Sequence, residues 1–188
     1  MKKRLEESLG EFVYGAIDGT VTTFAVVAGA AGAGLSSAVI VVLGFANLFA
    51  DGFSMGASAY LSAKSKRDLK IKRHIEDDEE HKPHDMSHGE RPIKDGLITF
   101  LSFILVGFIP FMLYVVDSIF DLGIASFTLF VWSAVLTGLV FISVGVLKAK
   151  VTKTKMWRAA SETFLLGAIA AVLAYALGDL LGKALSVN

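Results

Sequence analysis

The sequence predicts an all-α membrane protein with five transmembrane helices in one bundle, and three observations carry that prediction. The 188 residues are 54% hydrophobic with a mean hydropathy of +0.61, more than a water-soluble domain of this size needs. Five apolar runs, near residues 12–33, 37–62, 95–116, 124–147 and 162–182, can each cross about 30 Å of hydrocarbon at about 1.5 Å per residue. Basic residues cluster before the first run, between the second and third, and between the fourth and fifth, so 17 of the 18 share one side and only Lys183 falls on the other. By the positive-inside rule that side is cytoplasmic, which puts the N-terminus in the cytoplasm and the C-terminus outside. Adding or removing a span would scatter the charges.

Three segments follow from this layout. Residues 1–62 hold an N-terminal stretch and the first two spans, residues 63–94 form the one large polar connection, and residues 95–188 hold spans three to five. The layout predicts an integral, multi-pass membrane protein. The zero net charge hides a segregation of charge by side, and with no cysteine the chain has neither disulfides nor thiolate metal sites. Met1-Lys-Lys-Arg4 before an apolar run resembles a signal peptide, but Glu6, Glu7, Glu11 and Asp18 do not suit one, and the run is too long for a signal core.

Taken in order, residues 1–11 alternate charged and apolar groups and suit either a short amphipathic helix lying at the cytoplasmic interface or the solvated end of the first span's helix. The first span is rich in small residues, and Gly15 and Gly19 form a small-xxx-small pair that invites close approach of another helix. Asp18 lies beside them, with Thr22 one turn on and Glu11 two turns back, an acidic and hydroxylated stripe leading inward. Gly32-Ala-Gly-Leu-Ser36 then turns the chain into an antiparallel second span. There Asn47, Asp51 and Met55 recur at i, i+4 and i+8, beside a second close-packing pair, Gly52 and Gly56. Asp18 precedes Gly34 by 16 residues and Asp51 follows Ser36 by 15, so the two carboxylates sit at similar depth. A charge in hydrocarbon costs at least about 2.5–3.5 kcal/mol, so two of them at one level call for a function.

The polar connection opens with basic residues from Lys64 to Arg73, expected to continue the second helix out of the membrane among anionic headgroups. Glu76, Glu79, Glu80, His81, His84 and His88 follow, a mixture of carboxylates and imidazoles that suits Fe²⁺, Mn²⁺, Zn²⁺ or Co²⁺ better than Ca²⁺ or Mg²⁺. Pro83 interrupts any helix through the histidines. Gly107-Phe-Ile-Pro110 predicts a kink in the third span. Spans three to five, including Glu162 and Asp179, read as scaffold.

Burial favours a neutral carboxylate and an arriving cation favours the ionised one, which is the minimum chemistry for exchanging metal and protons. Met55 adds a soft donor that favours transition metals. The expected metal ligands are therefore Asp18, Asp51, Met55 and Asn47 in the membrane, with Glu11 on the way in and the acidic, His-rich stretch as a second candidate set. One chain offers too few ligands to close a shell, so a two-fold homodimer with both first-two-span pairs lining the path is expected. Nothing here suggests an enzyme: no helix carries paired histidines, no nucleophile stands with a base, and no nucleotide loop occurs. The partners expected are divalent transition metals, protons and the bilayer, with no cofactor and no nucleic acid. A non-transporting scaffold or a metal-sensing membrane protein is the alternative.

Asp18-Gly-Thr-Val-Thr-Thr-Phe24, Asn47-Leu-Phe-Ala-Asp-Gly-Phe-Ser-Met55, Tyr60-Leu-Ser62 and Gly107-Phe-Ile-Pro110 together resemble the vacuolar iron transporter family, over nearly the whole chain. The resemblance implies a dimeric Fe²⁺/H⁺ antiporter, often accepting Mn²⁺, that removes metal from the cytosol, with the family's first-span aspartate at Asp18 and its second-span methionine at Met55. The chain departs from the family pattern in three places. The family's cytoplasmic metal-binding segment is a longer helical insertion. Ala59 stands where many members have a carboxylate before Tyr60, and Leu113 where a second proline is common.

Overall fold

The computed structural model describes residues 2–77 and 91–185, with side chains from Ser8 to Arg73 and from Arg91 to Leu185. The described chain is helical: α1 (Lys2–Gly32), α2 (Ser37–Asp77), α3 (Pro92–Gly107), a 3₁₀ turn (Ile109–Phe111), α4 (Met112–Phe120), α5 (Ser126–Thr152) and α6 (Met156–Ala184). With α3, the 3₁₀ turn and α4 counted as one crossing, five stretches are long and apolar enough to span a membrane. The expected span count holds.

The amphipathic N-terminal stretch is not a separate interfacial helix. It forms the first turns of α1, which runs unbroken from Lys2 to Gly32. No proline stands before Phe12, and an isolated glycine such as Gly10 weakens a helix without ending it, so the backbone ladder continues there. At its far end α1 closes with a Schellman motif: Gly34 adopts φ +71°, Leu35 N–H donates to Ala30 O (3.0 Å) and Gly34 N–H to Ala31 O (3.1 Å). The chain then reverses directly into α2. As the basic run predicts, α2 continues past the apolar stretch to Asp77, and its 41 residues extend about 60 Å, twice the hydrocarbon thickness.

α1 is the central helix and packs against α2, α3, α5 and α6, while α2 packs chiefly on α3. Both glycine pairs meet the same partner. A Cβ at Gly15 or Gly19 would run into the backbone of Thr99 or Phe103, and one at Gly56 would meet Gly96 O at 2.9 Å. α3 is thus seated between α1 and α2. Its own Gly96 and Gly107 complete the fit, lying against Gly56 O and Gly19 O.

The third span breaks where Gly107-Phe-Ile-Pro110 predicts: α3 ends, a 3₁₀ turn follows, and α4 resumes to Phe120. Ser133 on α5 donates its hydroxyl to Pro110 O, so a carbonyl in the broken stretch is satisfied across the bundle. Phe103, Phe111 and Tyr114 are fully buried around this break. Large apolar side chains elsewhere face outward, as with Phe53, Leu105, Val172 and Leu180, which is the pattern for a lipid-exposed surface. Ion pairs occupy the ends, Glu162 with Arg158 (3.1 Å) and Lys148 (3.6 Å), and Asp179 with Lys183 (2.7 Å).

Two glycines of α1 give opposite expectations. A Cβ at Gly10 would meet nothing within 4 Å, so Gly10→Ala should gain about 1 kcal/mol of helix propensity. Gly19→Ala should cost about 1–3 kcal/mol through overpacking against α3. Thermal unfolding of the detergent-solubilised protein, followed by tryptophan fluorescence, should move up for the first and down for the second.

Candidate ion path between α1 and α2

Because the Schellman turn makes α1 and α2 antiparallel neighbours, residues equally far from Gly34 meet across the hairpin. Asp18 and Asp51 come close enough for their charges to act on one another, and both are partly buried. The next pair toward the turn is Thr23 and Asn47, where Asn47 Nδ2 donates to Thr23 Oγ1 at 3.3 Å. Toward the basic end, Met55 lies one turn from Asp51 and packs at the edge of the core.

A recess of about 600 Å³ opens at the basic end. Met55 lines its inner part, Ser54, Ser58 and Ser62 form a hydroxyl ladder along α2, and Glu11, Tyr14 and Asp95 face them, with Lys66 and Lys70 at the mouth. Glu11 is held in place by α3: Thr99 Oγ1 donates to Glu11 Oε2 at 3.0 Å, with Asp95 O at the same distance. Beyond the Thr23–Asn47 pair a second recess of about 680 Å³ lies among α1, α2 and α6, and Asn47 is the one polar side chain among its alanine, glycine, valine and leucine walls. Asp18 and Asp51 line neither recess. They stand in the layer between.

The structure therefore brings Asp18 and Asp51 together, with Met55 and Glu11 on one side of them and Asn47 on the other. Thr22 is an exception to the expected hydroxylated stripe, since its hydroxyl donates back to Asp18 O in its own helix (2.9 Å). Among the described residues no three His, Asp or Glu side chains converge to hold a metal. Glu79, Glu80, His81, His84 and His88 lie outside the described residues, as does the side chain of Glu76. Asp95, Thr99 and Tyr14 escaped the sequence reading. Asp95 and Thr99 sit on a span read as scaffold, and the one signal for them was Gly96, a small residue directly after Asp95 at the start of an apolar run.

Comparison with known proteins agrees with this layout. Residues 9–82 and 70–179 match the model of the VIT family. The chain is 27% identical to a Plasmodium falciparum protein named vacuolar iron transporter, over 96% of this chain and 85% of that one. It is 25% identical to vacuolar iron transporter 1 of Arabidopsis thaliana, over 91% and 85% respectively. A Toxoplasma gondii protein named vacuolar iron transporter is 47% identical over 57 residues, 30% of this chain and 19% of that protein. The alignment to the Plasmodium protein runs over 234 positions against 188 residues here, so that relative carries segments this chain lacks. The two matched pieces overlap at residues 70–82, where the shortened connection begins. The chain is a multi-pass integral membrane protein and belongs to the VIT family.

Proposed function

We propose that this chain is a secondary transporter that moves Fe²⁺, with Mn²⁺ as a second cargo, out of the cytosol in exchange for protons. It works as a homodimer in which the α1–α2 pair of each protomer faces its counterpart across the path. The observation that carries the reading is the pairing of Asp18 with Asp51 at one depth inside a membrane-spanning bundle. Two carboxylates near each other in a low-dielectric setting need a proton or a cation to balance them, so loading one species releases the other. Met55 supplies a soft donor one turn toward the recess and biases the pair toward transition metals.

Further support comes from the basic end. Lys66 and Lys70 at the mouth of the recess mark it as the cytoplasmic side under the positive-inside rule, which makes the recess the loading side. The names of the Plasmodium and Arabidopsis relatives point to iron as the cargo. Asp18 is the obligatory ligand and proton carrier, Asp51 the second ligand, and Glu11 an outer acidic station held by Thr99. Two copies of Asp18, Asp51 and Met55 around a two-fold axis give six donors, enough for the shell that one chain lacks.

Flux into proteoliposomes tests this. Anaerobic Fe²⁺ uptake should be driven by an imposed pH gradient, should carry protons in the opposite direction, and should fall to background in Asp18→Asn. Uptake indifferent to the gradient would indicate a channel, and no uptake of Fe²⁺ or Mn²⁺ by folded dimers would leave the scaffold alternative. Met55→Leu conserves volume and should lower Fe²⁺ flux more than Mn²⁺ flux. In thermal unfolding at neutral pH without metal, Asp18→Asn should stabilise the fold by about 1 kcal/mol, because a neutral amide there needs neither a bound proton nor a cation to offset the burial of two carboxylates side by side. Asp51→Asn added to it should gain less than it does alone.

A further inference from the structure

A third recess, of about 590 Å³, lies among α1, α5 and α6. It exists because these helices touch at two places and not between them. A Cβ at Gly145 would meet Ala160 Cα at 2.6 Å, so α5 is pinned to α6 near the basic end. A Cβ at Gly178 would run into Gly29 O, so α6 is pinned to α1 near the other end. Between the pins stand Ala134, Gly138, Ala168 and Ala171, side chains too short to fill the gap.

Aromatic rings wall this recess from the surface to the core. Phe127 and Phe164 are exposed at its rim, whereas Phe24 and Phe141 belong to the buried cluster. Phe130 stacks on Phe24 with 6.2 Å between ring centres and meets Tyr175 at 5.3 Å, so one run of rings crosses from α1 through α5 to α6. Among the described residues that line the recess none is charged, and Tyr175 alone has a polar side-chain atom.

Setting and shape select the occupant. α5 and α6 are both membrane spans, so the rim opens onto hydrocarbon, and an empty apolar recess there would forfeit van der Waals contact along its walls. Along α6 the lining runs from Phe164 to Ala176, a rise of about 18 Å. Spread over that length, the volume gives a mean cross-section of about 33 Å², less than half the ~80 Å² taken by a helix about 10 Å across. The recess is too narrow for a neighbouring helix and has the shape of one extended hydrocarbon chain. On α5 it starts at Phe127, in the first turn at the membrane face away from the lysines, and reaches Phe141, past the middle of that helix.

We propose that this recess binds one lipid acyl chain, inserted from the leaflet at the face away from the lysines and reaching past the middle of the membrane to Phe141. The bound chain makes the contact that α5 and α6 do not make themselves, and it packs on α1 at Phe24, six residues from Asp18. The inference does not depend on what the protein transports.

Photocrosslinking tests it, in liposomes of phosphatidylcholine doped with the same lipid carrying a diazirine near the end of one oleoyl-length chain. Adducts mapped by mass spectrometry should concentrate on residues 127–141 and 164–176, several-fold above those on α3, where Leu97, Leu101 and Leu105 are also exposed. Ala134→Phe and Ala171→Phe fill the recess and should each remove those adducts while sparing α3. Ile169→Phe, on the exposed surface outside the lining, should change neither. On the native chain, unlabelled oleoyl lysophosphatidylcholine should compete better than the lauroyl form, whose chain is too short to span the recess. That comparison needs no variant, so it decides the matter even where a filled recess prevents folding. Equal competition by the two lipids, adducts spread evenly over the exposed helices, or folded recess-filling variants that still label there would each overturn the proposal. So would a recess that labels only after protomers are separated, because a second copy of the chain would then be its occupant.

Discussion

The arrangement of this protein depends on the close seating of α3 between α1 and α2. In lipid there is no hydrophobic force to drive helices together, so their association rests on van der Waals contact and hydrogen bonds, and small residues make both possible. Gly15 and Gly19 on α1, Gly52 and Gly56 on α2, and Gly96 and Gly107 on α3 remove the side chains that would hold three backbones apart. The Schellman turn fixes α1 to α2 at the opposite end. A hairpin tied at one end and wedged at the other opens toward the wedge, and the polar recess lies at that basic end.

The same wedge explains why an acidic side chain at Glu11 is tolerated. Thr99 reaches it only because α3 lies against α1 at Gly15, and the hydroxyl then serves both the carboxylate and the helix carbonyl of Asp95. Deeper in, the carboxylate layer has no such donor from α3. Thr22, the nearest hydroxyl on the same face, is committed to its own backbone. Asp18 and Asp51 are left chiefly to each other, which is the arrangement that the proposed exchange of a cation for protons needs.

Much of this was legible in the sequence. Five apolar runs and the segregation of lysine and arginine gave the spans. Gly107 and Pro110 marked the break in the third one, and the equal spacing of Asp18 and Asp51 from the Gly34 turn placed the acids at one depth. What stayed hidden was pairing between distant segments. Small-xxx-small spacing says that some backbone comes close but does not name it, so α3 passed as scaffold while supplying Asp95 and Thr99. The N-terminal stretch allowed two readings, an interfacial helix or the solvated end of the first span, because alternating charge fits both; the structure takes the second, with α1 unbroken from Lys2 to Gly32. Asn47 was read as an oxygen donor from its place in the Asn47–Asp51–Met55 row, and its bond to Thr23 could not be seen without knowing which face of α1 it meets.

The chemistry of the recess also bears on where selectivity lies. Its walls carry Glu11 on α1 and Asp95 on α3 together with Lys66 and Lys70 on α2, so both signs of charge line it. A cation approaching from water meets no large field of one sign, and at physiological salt such exposed charges act over only about 8 Å. Capture at long range is therefore weak. Under the proposed transport function, choice between ions would fall to the layer beneath, where the two partly buried carboxylates act on each other and Met55 is the first soft donor within one helical turn. In that proposed reading, an ion that binds water tightly and gains nothing from sulfur would have little reason to shed its shell there, whereas Fe²⁺ or Mn²⁺ would recover that cost from two carboxylates, and Fe²⁺ would gain more from the thioether.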